Sequence, residues 1–121
     1  MCLYVSKEAK IKTARRNITV YKTVRYLPEN EDIVESLYYD FLYKKDERQP
    51  EVELEIENRA YSYVCYVSEG YHSFLTRSQA LFEAECWRST RTKVIKMKIP
   101  KGAKYIQADK KIVSSTIIWR K

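Results

Sequence analysis

The chain has 121 residues, of which 45% are hydrophobic, two are glycine and three are proline. This length and composition suit one globular domain, residues 1–121, and argue against linkers or disorder. The net charge of +7 is segregated, because residues 28–70 carry four Lys or Arg and twelve acids whereas both flanking regions are strongly basic. Two explanations are open: acidic and basic strands neutralise each other across a sheet, or a bipolar surface attracts an anionic partner to one side.

Nothing in the chain is typical of a membrane or secreted protein. No apolar run is long enough to cross a bilayer, and the start, MCLYVSKEAK, lacks the regions of a signal peptide. The cysteines, Cys2, Cys65 and Cys86, form neither a close pair nor a CxxC motif, which favours reduced thiols over a disulfide framework or a zinc site. We therefore expect a cytoplasmic protein with no metal site.

The first part of the chain predicts a short helix followed by a long strand. Residues 2–5 are a short apolar run, and residues 8–15 are basic and rich in helix formers, which favours a short N-terminal helix. ITVYKTVRYL, residues 18–27, alternates between apolar and polar side chains and is the clearest early strand. The acidic residues 28–32 predict a turn that ends it.

The middle of the chain predicts further strands. Residues 33–44 are aromatic and suit a strand or an ordered loop better than a helix. EVELEIE, residues 51–57, alternates strictly between Glu and apolar side chains, which indicates a half-buried antiparallel strand. AYSYVCYV, residues 60–67, predicts a second strand after a short turn.

The most secure helix is predicted over residues 76–87. Thr76 and Gln79 have the spacing of a capping box, and Leu75 and Ala80 have that of a hydrophobic staple. The expected apolar face of this helix consists of Ala80, Leu81, Ala84 and Trp87.

The last part of the chain predicts strands that complete a sheet. Residues 92–99 alternate, with Ile95, Met97 and Ile99 facing inward, and a turn follows at residues 100–102. Residues 105–108 and 112–119 are expected to be closing strands. The predicted fold class is therefore α+β, a Tyr-rich mixed or antiparallel sheet packed with one main helix.

One segment combines several features of a ligand site. Gly70 is one of only two glycines, so backbone conformation or a close approach is expected to dictate its place. An aromatic side chain and the only histidine follow it, and the N-terminus of the predicted helix, which attracts phosphate, comes next. The alternative is that the histidine is structural. The candidate ligand-binding residues, including three from the first long strand, are Tyr21, Lys22, Arg25, Tyr71 and His72.

A second pattern indicates nucleic-acid binding, because tyrosines interleaved with Lys or Arg can stack on bases and contact phosphates. The candidates near the C-terminus are Lys96, Lys98, Lys101 and Lys104. No carboxylate pair, metal-ligand motif or glycine-rich phosphate loop occurs, so the residues identify neither a catalytic group nor a cofactor.

Several segments resemble a family of uncharacterised small proteins of Bacteroidetes-type bacteria and their phages. The similarity spans nearly the whole chain, and its most specific part is IPKGAKY followed by IVSSTII. The family has a glycine-bearing segment after SLYYDF, where this chain has KKDERQP. The resemblance implies a bacterial or phage origin but no activity. From the sequence as a whole we expect a small binding protein for a nucleotide, a nucleic acid or a host protein, such as a phage accessory or anti-defence factor, and a purely structural or oligomeric protein is a further possibility.

The order of VYK on a strand, GYHSF, a helix and VIKMKIPKGAKY is also similar to that of the ADP-ribosyltransferase and RNA 2′-phosphotransferase superfamily. This resemblance implies a nicotinamide-type dinucleotide near Tyr21 or Lys22 and at Tyr71 and His72, and makes a divergent transferase the alternative function. IVSSTII lacks the acid of that superfamily's last motif. The resemblance therefore supports nucleotide binding more than catalysis.

Overall fold

The computed structural model describes residues 3–6, 9–37, 42–58, 65–67, 69–86 and 91–120. Within these residues there are eleven strands and one helix, and every strand pairing is antiparallel, so the predicted α+β class is confirmed. The elements are β1 (Leu3–Val5), β2 (Lys12–Thr13), β3 (Ile18–Leu27), β4 (Asn30–Ser36), β5 (Leu42–Lys44), β6 (Glu57–Asn58), β7 (Cys65–Val67), β8 (Tyr71–Phe74), α1 (Arg77–Cys86), β9 (Thr92–Ile99), β10 (Lys104–Ala108) and β11 (Lys111–Ser114).

The long strand β3 organises the sheet because both of its edges are used. One edge pairs with β9 over eight residues, from Ile18 to Arg25. The other edge pairs with β8 at Tyr21 and then with β4 from Val24 onward. The two partners diverge from β3 beside Lys22, and we refer to the gap between them as the fork.

Two extended segments close strands β9, β3, β4 and β5 into a ring. Residues 46–52 continue from β5 and run antiparallel to residues 115–119, with a backbone hydrogen bond of 2.6 Å from Asp46 N to Trp119 O. Ile118 is in turn bridged to Lys98 of β9. Residues 46–52 and 115–119 thereby connect β5, at one end of this set of strands, to β9 at the other.

The ring encloses the larger hydrophobic core. Alternation places Val20 and Val24 of β3 inside it, opposite the predicted inward residues of β9, all of which are buried. Burying each such side chain stabilises the fold by roughly 1.5–3 kcal/mol. The buried members of this core are Ala14, Val20, Val24, Val34, Tyr43, Tyr71, Ile95, Met97, Ile99, Ala103, Ile112, Ile117 and Trp119.

The predicted N-terminal helix over residues 8–15 is wrong for the part of it that the structure describes, residues 9–15. Lys12–Thr13 forms β2, which pairs with β10, and Ala14 exchanges backbone hydrogen bonds with Ala103 and Gly102, each of 2.8 Å. These tertiary hydrogen bonds outweigh the modest helix propensity of the segment.

The predicted strand over residues 51–57 is wrong for residues 51–56, although their burial alternates as expected, with Leu54 buried and the glutamates at 51, 53 and 55 exposed. Residues 46, 49 and 52 donate to the 115–119 segment, so the hydrogen bonds recur every three residues. A strand ladder repeats every two residues. The segment is therefore extended but irregular, and strand structure begins only at Glu57.

Two other boundaries differ from the predictions. The acidic turn is confined to residues 28–29, because Asn30–Asp32 already belong to β4, and the last strand ends at Ser114 before the ring-closing segment. The segment of His72, to which the sequence assigned no element, forms strand β8 and pairs with β11. The second middle strand covers only Cys65–Val67 among the described residues, because residues 59–64 lie outside them.

Helix α1 is capped as predicted but is less amphipathic than expected. The Gln79 N–H donates to Thr76 Oγ1 at 3.4 Å, and the Thr23 hydroxyl of β3 donates to the Ala80 carbonyl. Ala80 is buried, whereas Leu81 is 45% exposed, so its assignment to the apolar face is wrong. Trp87 lies outside the described residues.

Gly70 occupies a position that no other residue fits, for both of the reasons that the sequence suggests. Its φ is +120°, and an added Cβ would lie 2.5 Å from Val113 Cγ1 and 2.7 Å from Leu54 Cδ2. Gly102 also has a positive φ, +93°, but a Cβ there would meet nothing within 4 Å. A side chain at either glycine would therefore strain the backbone, but only a side chain at Gly70 would also overlap with neighbouring atoms.

We expect Gly70→Ala to lower the free energy of unfolding by roughly 2–4 kcal/mol, because it adds overpacking to an unfavourable φ. Gly102→Ala, which carries only the conformational strain, should cost about 1 kcal/mol. Urea denaturation of both variants measures the difference, and equal losses would contradict the close approach at Gly70.

Candidate ligand-binding sites

Lys22 is a lysine whose ammonium is enclosed at the fork. Its Nζ donates a hydrogen bond to the His72 carbonyl and lies 5.6 Å from the centre of the Tyr43 ring. Burial lowers the pKa of Lys22 to about 8, and the negative charge of Glu83 on α1 partly opposes that decrease. The fork therefore holds an amine that loses its proton at mildly alkaline pH.

Two tyrosines line the core side of the fork. Burial, followed by the interaction with Tyr71, raises the pKa of Tyr43, and burial also raises the pKa of Tyr71. The rings meet edge to face with centroids 6.4 Å apart, and the Tyr71 hydroxyl donates to the Pro50 carbonyl at 2.7 Å. Tyr71 is thereby packed as a core residue.

The five predicted ligand-binding residues are divided between the two faces of the sheet. Tyr21 pairs with Phe74, and His72 lies two residues from Phe74, so Tyr21 and His72 share the outer face. Tyr71 points into the core with Lys22. Arg25 forms an ion pair with Glu35, its neighbour across β3 and β4, at 3.7 Å.

The described residues leave little room beside Lys22 and His72. The cavity there has a volume of about 20 Å³, whereas pockets for small molecules and cofactors have roughly 300–1,000 Å³. This volume accommodates about one water molecule. Its lining consists of Lys22, Thr23, Ser36, Leu37, His72, Phe74 and Glu83.

The enclosed ammonium makes stability depend on pH in a calculable direction. The pKa of Lys22 in the folded protein, about 8, lies below the ordinary lysine value of 10.5. The destabilisation is therefore complete below pH 8 and is relieved as the pH rises toward 10.5. We expect the unfolding free energy of the wild type to gain about 2 kcal/mol relative to Lys22→Met between pH 7 and 9.5.

Chemical denaturation of both proteins across this range measures the gain. Lys96→Met, which removes an exposed lysine from β9, is the matched control. Parallel pH profiles for the wild type and Lys22→Met would show that the Lys22 ammonium is solvated rather than enclosed. Tyrosines of the unfolded chain begin to ionise near the upper limit of this range, but they do so equally in both proteins and cancel in the difference between them.

A larger and strongly basic groove lies along the N-terminal segment. Its volume is about 750 Å³, and it runs between residues 12–18 and Tyr105 of β10. Three of its six lining residues are cationic, none is acidic, and Ile18 and Tyr105 supply apolar surface. We refer to it as the basic groove, and it is lined by Lys12, Thr13, Arg15, Arg16, Ile18 and Tyr105.

The acidic middle of the chain does not neutralise this groove. The ion pairs among the described residues are Arg25–Glu35, Lys45–Asp32 and Arg48–Glu51, each at 3.7 Å. All three use acids from residues 28–70, and none involves a groove residue. Neutralisation across the sheet thus occurs at Arg25 and Glu35, while the groove keeps its positive charge within the described part of the chain.

The four predicted nucleic-acid lysines fall into two pairs. Lys96 and Lys98 alternate with the buried side chains of β9 and so lie on its outer face, opposite Tyr21 and Thr19. The other pair flanks the segment that forms the groove. Lys101 N donates to Asn17 Oδ1 at 2.9 Å, and Lys104 Nζ donates to Thr13 Oγ1 at 2.7 Å.

Sequence reasoning missed Lys12, Arg15, Arg16 and Tyr105 as site residues. The basic run over residues 7–16 was the available signal, but a helix over residues 8–15 gave no reason to place it beside a strand that carries Tyr105. Only the pairing of β2 with β10 brings this run beside Tyr105. Among the described residues, no group of three or more potential ligands could hold a metal ion, and no helix is long and apolar enough to span a membrane.

No family model matches the chain, and comparisons with curated proteins and with solved structures find no similar protein.

Proposed function

We propose that the protein binds single-stranded nucleic acid in the basic groove. The observation that carries the proposal is a groove of about 750 Å³ with no acidic lining residue and with three cations that form no ion pair with any described residue. Phosphate groups are the anions that such a surface attracts, because bound cations displace the counterions of the strand. Lys101 and Lys104 extend the positive charge beyond the groove.

The aromatic and apolar parts of the groove favour a single strand over a duplex. Tyr105 is half-buried and packs against the core, so part of its ring is held rigidly at the groove surface. Unpaired bases stack on such rings, and Ile18 adds an apolar contact. The bases of a duplex, by contrast, are already stacked on each other.

The proposal specifies one of the three partner classes that we expect from the sequence, namely a nucleotide, a nucleic acid or a host protein. In this interpretation the protein acts in the cytoplasm of a bacterial host. A transferase that uses a nicotinamide dinucleotide has less support, since only about 20 Å³ is open beside Lys22 and His72 within the described residues.

Binding of a fluorescent oligo(dT) tests the proposal. Affinity should fall linearly with the logarithm of salt concentration, with a slope of about −0.7 per phosphate contact. The double variant Arg15→Ala/Arg16→Ala should weaken binding at low salt. It should also make the slope less steep by the contribution of about one to two phosphate contacts.

The double variant Lys96→Ala/Lys98→Ala is the matched control, because it removes the same net charge from the outer face of β9. It should leave the affinity within about threefold of the wild type if the groove is the site. Absence of binding at low salt would refute the proposal, and equal losses in both variants would show attraction by net charge alone.

A further inference from the structure

A second groove lies on the other side of the N-terminal segment and differs in chemistry from the first. It has a volume of about 530 Å³ and combines an apolar surface, from Ile11, Val52 and Leu54, with the carboxylates of Glu51 and Glu53. We refer to it as the mixed groove. Its remaining lining residues are Gly102, Lys104 and Ser115.

Lys104 connects the two grooves. It lines the mixed groove, and its Nζ donates to Thr13 Oγ1 at 2.7 Å, where Thr13 lines the basic groove. A nucleic-acid strand that extends from the basic groove into the mixed groove therefore passes Lys104. In the mixed groove, the carboxylates of Glu51 and Glu53 repel a phosphate group, whereas they do not repel an uncharged base that points into the groove.

Glu53 is the carboxylate that is available to a ligand. Glu51 already forms an ion pair with Arg48 at 3.7 Å and accepts from the Ser115 hydroxyl at 3.5 Å. Glu53 is exposed and has no ion pair with any described residue. Lys104 Nζ donates one of its three hydrogens to Thr13, so it still has donor capacity for a ligand.

We infer that the mixed groove binds a guanine base of the strand that occupies the basic groove, an inference that rests on the proposed function. Guanine has two adjacent donors on its Watson–Crick edge, the N1–H and the N2 amino group, and both can bind one carboxylate. Its O6 beside them accepts a hydrogen bond, which Lys104 supplies. Thymine offers one donor between two acceptors and matches a carboxylate poorly. Ile11 and Val52 provide the apolar contact for the ring.

Competition between oligonucleotides tests the inference. An oligo(dT) of about ten nucleotides, within the usual range of site sizes, is compared with one that carries a single central dG and one that carries deoxyinosine there. We expect the dG oligonucleotide to bind about tenfold more tightly than oligo(dT), because a bidentate base contact gives discrimination of this order. Deoxyinosine lacks the N2 amino group and should lose most of that preference.

Glu53→Gln should abolish the preference for dG while leaving the affinity for oligo(dT) unchanged or slightly increased. Glu55→Gln is the matched control, since Glu55 is exposed on the same segment but does not line the groove. Equal affinities for dG and dT, with normal salt-dependent binding of both, would overturn the guanine inference and leave the proposed function intact. Failure of every oligonucleotide to bind at low salt would overturn both.

Discussion

The pairing of β3 with β9 is the constraint on which the rest of the structure depends. It fixes eight consecutive residues of each strand, and the alternation along both strands then decides which side chains enter the core. Because β9 occupies one edge completely, β8 and β4 must share the other, and the fork follows. Lys22 lies at that point and donates to the His72 carbonyl, so a polar side chain fills the gap that two diverging strands leave.

The sequence was sufficient for elements that local patterns determine. The alternation of residues 18–27 and 92–99 predicted β3 and β9, and the capping spacing predicted α1. It was insufficient where long-range hydrogen bonds decide, since residues 12–13 are a strand only because β10 lies beside them. Residues 51–56 show the converse, because their strict alternation is retained as alternating burial although they form no regular strand.

Candidate sites were harder to predict than strands because they depend on which segments meet. The predicted set joined Tyr71 and His72 as one pair of rings, but successive strand residues face opposite sides of a sheet. The basic groove combines a run of cations near residue 15 with Tyr105, about ninety positions away in the chain, and Lys101 and Lys104 lie next to the same segment. The segregation of charge along the sequence pointed to an anionic partner as one explanation, but only the fold showed where on the surface such a partner could bind.

The closed ring has a consequence for how the chain reaches its native state. Asp46, Gln49 and Val52 donate backbone hydrogen bonds to residues 115–119, far along the chain, and β3 pairs with the equally distant β9. Such non-local contacts slow folding, because a long loop must close before the contact stabilises anything. During synthesis, the inward faces of β3, β4 and β5 stay uncovered until residue 119 has emerged. The nascent protein is thus most exposed to aggregation and to proteases just before its final strand-closing segment becomes available.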